Sequence, residues 1–248
     1  MTGGSEDVED RDGRSGAGEG GHGAKSGFVR DNALTLFFLA LTFAALVGQA
    51  ISGLSVYNDQ QVAQGAPPVS MPEYLTGSAF AVDVAENWQS EYLQFFLYIS
   101  VTVWLVQRGS PESKQPGEQG TESDADQQVG EHAGPDAPKW ARVGGLRGTV
   151  FARSLGLVMG AIFLLSWLTQ SVTGWVAHNA EQLGEHQDTL SWAQYLVSAE
   201  FWNRTLQNWQ SEFLAVASMA ALSIYLRQRG SPESKPVGAP HHATGVEG

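Results

Sequence analysis

The sequence predicts an all-α membrane protein: four transmembrane helices as a tandem duplication of a two-helix unit, pseudo-two-fold about the membrane normal, with disordered cytoplasmic segments. Three observations predict it. Four charge-free apolar runs occupy residues 34–54, 92–106, 155–176 and 213–226 of the 248-residue chain. Sliding the sequence against itself by 121 positions aligns residues 34–114 with 155–235 without a gap, with 26 of 81 positions identical. Of fourteen Lys and Arg, thirteen lie before residue 34, between 107 and 154, or after 226.

Residues 1–27 are rich in Gly, Ser, Glu and Asp and have almost nothing to bury, so a disordered cytoplasmic N-terminal segment is expected. No small-residue cleavage site follows the first apolar run, which argues against a cleaved signal peptide. Residues 28–114 form the first repeat, with spans at about 34–54 and 88–107. Residues 149–235 form the second, with spans at about 155–176 and 209–228. The long runs match the roughly 20 residues a helix needs to cross a bilayer. The short ones also suit a buried helix of a soluble domain, but four such runs in one small chain favour membrane. Between the spans, Ser70 precedes Glu73 by three residues and Ser191 precedes Gln194 by three, the spacing of a capping box. Residues 115–148 read as an acidic disordered cytoplasmic linker and 236–248 as a cytoplasmic tail. His241 and His242 in that tail have no partners at ligand spacing, so no metal site is expected.

Each unit holds two spans, so both copies enter the membrane from the same side, as a parallel repeat does. The connections 55–91 and 177–212 contain one basic residue, Arg204. By the positive-inside rule they face outward, and both termini and the linker are cytoplasmic, which places the chain in the cell membrane as a multi-pass protein. The chain has no cysteine and therefore no disulfide or thiolate chemistry. Its net charge of −12 argues against nucleic acid as a partner.

The candidate site comes from a length mismatch. Only fourteen uncharged residues separate Glu212 from Arg227, about 21 Å of helix, and sixteen separate Glu91 from Arg108, about 24 Å, against a hydrocarbon core near 30 Å. Counted from the inner boundary, Gln49 and Glu91 sit at similar depth, and the repeat gives Gln170 and Glu212 the same relation. The expected polar cluster therefore comprises Gln49, Asn87, Trp88 and Glu91 in one copy and Gln170, Asn208, Trp209 and Glu212 in the other, a candidate proton or cation site. The simpler reading is that NWQSE starts a helix at the interface, with Trp88 and Trp209 as anchors. Ala45, Gln49 and Gly53 form an i, i+4, i+8 stripe repeated as Ser166, Gln170 and Gly174, and the small residues are expected to let helices approach closely. Gly156 and Gly160 add a GxxxG to the third span.

QRGSPESK occupies 107–114 and again 228–235. Gly109 and Gly230 suit a left-handed helix end, preceded by an Arg at the C-terminal dipole, so the octapeptide reads as a stop signal at the inner surface. Together with GQxxxG, YLxxxxF and NWQSE, duplicated around an acidic linker, it resembles an uncharacterised actinobacterial family of four-span integral membrane proteins, catalogued as a domain of unknown function. The resemblance implies membrane location and this architecture, and no activity, substrate or catalytic residue.

No GxSxG, HExxH, Walker loop or cysteine cluster is present. The sequence thus argues against an enzyme and implies no catalytic residue and no cofactor. The expected role is a non-enzymatic membrane scaffold or partner-binding protein, its partners being the lipid bilayer and either its own kind or another membrane protein. The alternative is a channel, transporter or accessory subunit using the Gln/Glu/Asn cluster.

Overall fold

The computed structural model describes residues 27–248, so the segment 1–26 lies outside the described residues. Among them are eight α-helices, one short 3-10 turn at Gly130–His132 and no strand. The helices are α1 (Phe28–Asp31), α2 (Ala33–Ala63), α3 (Met71–Leu75), α4 (Ser78–Val101), α5 (Gly145–Ala152), α6 (Ser154–Gly184), α7 (Trp192–Leu196) and α8 (Ala199–Leu222). Every bound of α6, α7 and α8 falls 121 residues after the matching bound of α2, α3 and α4. The chain divides into two compact units, residues 1–49 and 50–248.

Two of the helices, α2 and α6, are long and apolar enough to cross a membrane. The other two expected spans, α4 and α8, fall short of this measure, because α4 carries Asp83, Glu86 and Glu91 and α8 carries Glu200, Arg204 and Glu212 within 24 residues each. Both shorter helices also end six residues before the octapeptide, at Val101 and Leu222. The β-branched run Val101-Thr102-Val103 disfavours further helix in the first copy. In the second, Arg227 Nη1 takes the carbonyls of Ser223, Ile224 and Leu226 and closes the end.

In the second unit the most extensive helix contact is between α4 and α6. Gly160 meets the Phe96 ring, and Gly174 meets Val82, so these helices run antiparallel. The seam on α6 is Gly160, Phe163, Ser166, Gln170 and Gly174, and that on α4 is Val82, Ala85, Gln89 and Leu93, both at helical spacing. Small residues on α6 are what let the two backbones come close.

The residues shared by the two copies build the same joints twice. The amide of Asn58 accepts from Val69 N–H at 2.7 Å and donates to Val69 C=O at 3.0 Å. Asn179 does the same to Leu190, at 2.9 and 2.8 Å. One side chain at the end of each long helix thus satisfies both backbone groups of the chain returning past it. The returning chain enters α3 and α7 through Ser70/Glu73 and Ser191/Gln194, both of which form the capping box read from the sequence. Tyr74 then lies over Gly53 and Tyr195 over Gly174; a Cβ at Gly174 would stand 2.5 Å from Tyr195 Oη. Each tyrosine ring meets the next phenylalanine, Phe80 or Phe201, with centroids 5.5 and 5.7 Å apart.

The octapeptides also fold alike. Gln107 N–H donates to Ser113 Oγ at 2.9 Å, and Gln228 N–H donates to Ser234 Oγ at 2.9 Å. Gly109 and Gly230 take the expected left-handed φ, +90° and +79°, but in a turn eight residues past Val101 and Leu222 and not at a helix end. Lys235 is 1% exposed, its ammonium donating to the carbonyls of Gly109, His241 and Ala243 at 2.6, 2.9 and 3.2 Å. Gly109 N–H donates to Thr244, and Gly245 N–H to Ser110 C=O. The C-terminal tail is therefore fastened across the first octapeptide. His241 Nδ1 lies 3.1 Å from Ile224 C=O and the ring rests by Tyr225. Residues 115–144 are turns and loops around the 3-10 turn Gly130–His132, 145–148 open α5, and Lys114 pairs with Glu122 at 2.8 Å.

Candidate functional site

Three helices bring a polar node into the interior. Gln89 of α4 is 0% exposed, and its Oε1 accepts from Trp209 Nε1 of α8 at 2.8 Å. Gln170 of α6 is 1% exposed, and its Nε2 donates to Thr205 Oγ1 of α8, itself 0% exposed, at 3.4 Å. Thr205 and Trp209 stand one turn apart on the same face of α8. Trp167 of α6 rings the node, its indole centroid 5.9 Å from that of Trp209 and 6.2 Å from the Phe201 ring. Gln89 Nε2, Gln170 Oε1 and Trp167 Nε1 are buried with no hydrogen-bond partner among the described residues. An unmade bond of this kind costs about 1–3 kcal/mol per group.

Toward the connections lies an ion cluster. Arg204 Nε donates to Glu86 at 2.7 Å and Nη2 to Asp83 at 2.9 Å. Burial pushes both carboxyls above the ordinary range, and Arg204 opposes this. Burial also works against the Arg204 charge, but the bonds to Glu86 and Asp83 outweigh it and the guanidinium is held above its usual value. Beside it, His178 Nδ1 lies 2.5 Å from Glu200 Oε2. Burial, then the Glu200 charge, push the Tyr195 hydroxyl up to about 12.

The expected site residues distribute as follows. Gln170 reaches Thr205, which is seven residues, about 10 Å of helix rise, before Glu212. Trp209 joins the node through Gln89. Asn87 is exposed, Trp88 half-exposed and Glu91 exposed. Asn87 and Asn208 both turn back to the carbonyl four residues earlier, at 2.8 and 3.0 Å. The Glu212 carbonyl accepts from Gln94 Nε2 at 3.5 Å. Gln49 is the last residue of the first unit, which also contains Ala45. Gly53 and Gly174 seat tyrosines, and Ser166 is buried on the α6 seam.

Sequence reading missed Gln89, Thr205 and Trp167. Gln89 was in view inside NWQSE, but its neighbours belong to the other copy. The ion cluster had a visible signal, the lone basic residue of the connections.

No group of three or more His, Cys, Asp or Glu among the described residues is arranged to hold a metal ion. No curated protein and no solved structure matches the chain. One family, described as Domain of unknown function (DUF6766), matches residues 25–246. The chain belongs to that family.

Proposed function

We propose that the chain is a multi-pass membrane protein of four spans, two tandem hairpins related by a pseudo-two-fold axis, that works as a non-enzymatic scaffold binding its own kind or another membrane protein. In this reading the termini and linker are cytoplasmic and both connections face outward. The observation that carries it is the repetition of bonds. Four pairs of polar residues identical in the two copies, Asn58/Asn179, Ser70/Ser191, Asn87/Asn208 and Ser113/Ser234, make matching structural bonds in each. Architecture thus accounts for these four shared pairs without any reaction. Membrane location is supported by α6, whose Leu164, Leu165 and Leu168 are all more than half exposed, a surface that lipid covers more favourably than water.

The test is proton flux into liposomes. A scaffold gives the same flux as empty vesicles, in wild type and in Glu91→Gln/Glu212→Gln alike. Flux that requires those two carboxylates contradicts the reading and selects the channel or transporter.

A further inference from the structure

The polar node holds an incomplete set of partners that is complementary in kind. Gln89 Nε2 and Trp167 Nε1 are donors, Gln170 Oε1 is an acceptor, all three are buried, and none pairs with another. The two amides are held from α8. Trp209 holds the other end of the Gln89 amide at 2.8 Å, and Thr205 holds the other end of the Gln170 amide. The antiparallel contacts of Val82 with Gly174 and of Phe96 with Gly160 place Gln89 level with Trp167, midway between them on each helix. The other indoles of this copy are satisfied: Trp175 and Trp202 donate to the carbonyls of Leu190 and Leu196, Trp192 to Ser171 and Trp209 to Gln89.

No charged group takes part in the node's hydrogen bonds, so a metal ion or an anion would lack the compensating charge that burial demands. A ligand that accepts two hydrogen bonds and donates at least one is required, and it must be small. We propose that a single water molecule is bound here, accepting from Gln89 Nε2 and Trp167 Nε1 and donating to Gln170 Oε1. Water fits by count, since a buried water makes about three such bonds, and it needs little more space than one probe sphere. Only one such site is spelled by the duplication. The positions matching Trp167 and Thr205 are Leu46 and Val84, which supply no donor or hydroxyl, and the position matching Gln89 is the exposed Gln210. The inference does not depend on membrane location.

The test is nuclear magnetic resonance on purified protein with 15N-labelled tryptophan and glutamine, the Trp167 indole signal being assigned through Trp167→Phe. The expected result is direct magnetisation transfer between the water resonance and the shielded Trp167 indole proton, lost in Gln89→Leu and in Gln170→Leu. Should the leucine variants not fold, Trp167→Phe still decides the matter. It keeps an aromatic side chain, smaller than the indole, and removes one bond to the water, so solvent exchange of the Gln89 side-chain amide should quicken roughly fivefold. Transfer from the indole to a Gln89 or Gln170 side chain instead of to water, or unchanged Gln89 exchange in Trp167→Phe, would overturn the proposal.

Discussion

Arg204 and Asp83 occupy the same position in the two copies, 121 residues apart, and their side chains meet at 2.9 Å. Glu86, one turn beyond Asp83, completes the cluster at 2.7 Å. Opposite charges let these equivalent positions meet. Replacing Arg204 by Gln leaves two half-buried carboxyls unpaired. The expected loss is about 1–2 kcal/mol, reduced from the value for a buried pair because these side chains are partly solvated. Denaturant unfolding in detergent measures it, and the exchange Asp83→Arg/Arg204→Asp should recover part of it.

The same cluster predicts a pH dependence. A carboxyl raised on folding binds its proton more tightly in the folded state, so stability falls as pH rises from the unfolded value, about 4, through the folded one. Arg204→Gln removes the opposing charge, so the window extends upward and the decline steepens. Thermal unfolding across pH 4 to 8 in wild type and variant checks the sign.

The two capping boxes supply an internal control. The Ser70 backbone and hydroxyl bonds hold the exposed Glu73 carboxyl below its ordinary range, so its contribution is present above that range and is lost as pH falls through the lowered value. Gln194 makes the same contacts in the other copy without a charge. Glu73→Gln should therefore keep α3 capped while abolishing the acid sensitivity of amide protection at its first turn, which hydrogen exchange at low pH reads directly.

Gly174→Ala should destabilise by about 1–3 kcal/mol, the usual cost of overpacking. The added methyl collides first with Tyr195 Oη, at 2.5 Å, and only tightly with the ring carbon behind it, at 3.2 Å. Gly174→Ala/Tyr195→Phe should recover much of the loss, and thermal melts of the four proteins in the cycle measure the coupling.

These examples show what the sequence made legible. Contacts within a copy were readable where their spacing is local, as with Ser and the Glu or Gln three residues on; the octapeptide glycines take the expected left-handed φ, but eight residues past Val101 and Leu222. Contacts between copies were not. The offset of 121 states which residues are equivalent but not which helices meet, and α4 pairs with α6 of the other copy. Gln170 was rightly singled out as an amide needing a partner, yet that partner, Thr205, replaces a valine of the first copy and broke the pattern used to find it. On the short helices Arg204 takes Asp83 and Glu86, and His178 meets Glu200, so the partners of these acids lie on other helices and were not readable from charge spacing.

Lys235→Met should release the tail, since its ammonium gathers Gly109 with the carbonyls of residues 241 and 243. Limited proteolysis should then remove residues beyond about 236 from this variant but not from Lys114→Met, whose ammonium bonds Gly120 and Glu122 instead.

The tandem-hairpin topology is tested most directly by site-specific thiol labelling, for which the cysteine-free chain is already suited. Single cysteines replace the exposed Asp59, Gln187 and Glu131, and intact cells are treated with a membrane-impermeant maleimide. Two hairpins entering from one side predict labelling at 59 and 187 in intact cells and at 131 only after lysis. Labelling of 59 and 187 from opposite sides, or of all three from the same side, would contradict it.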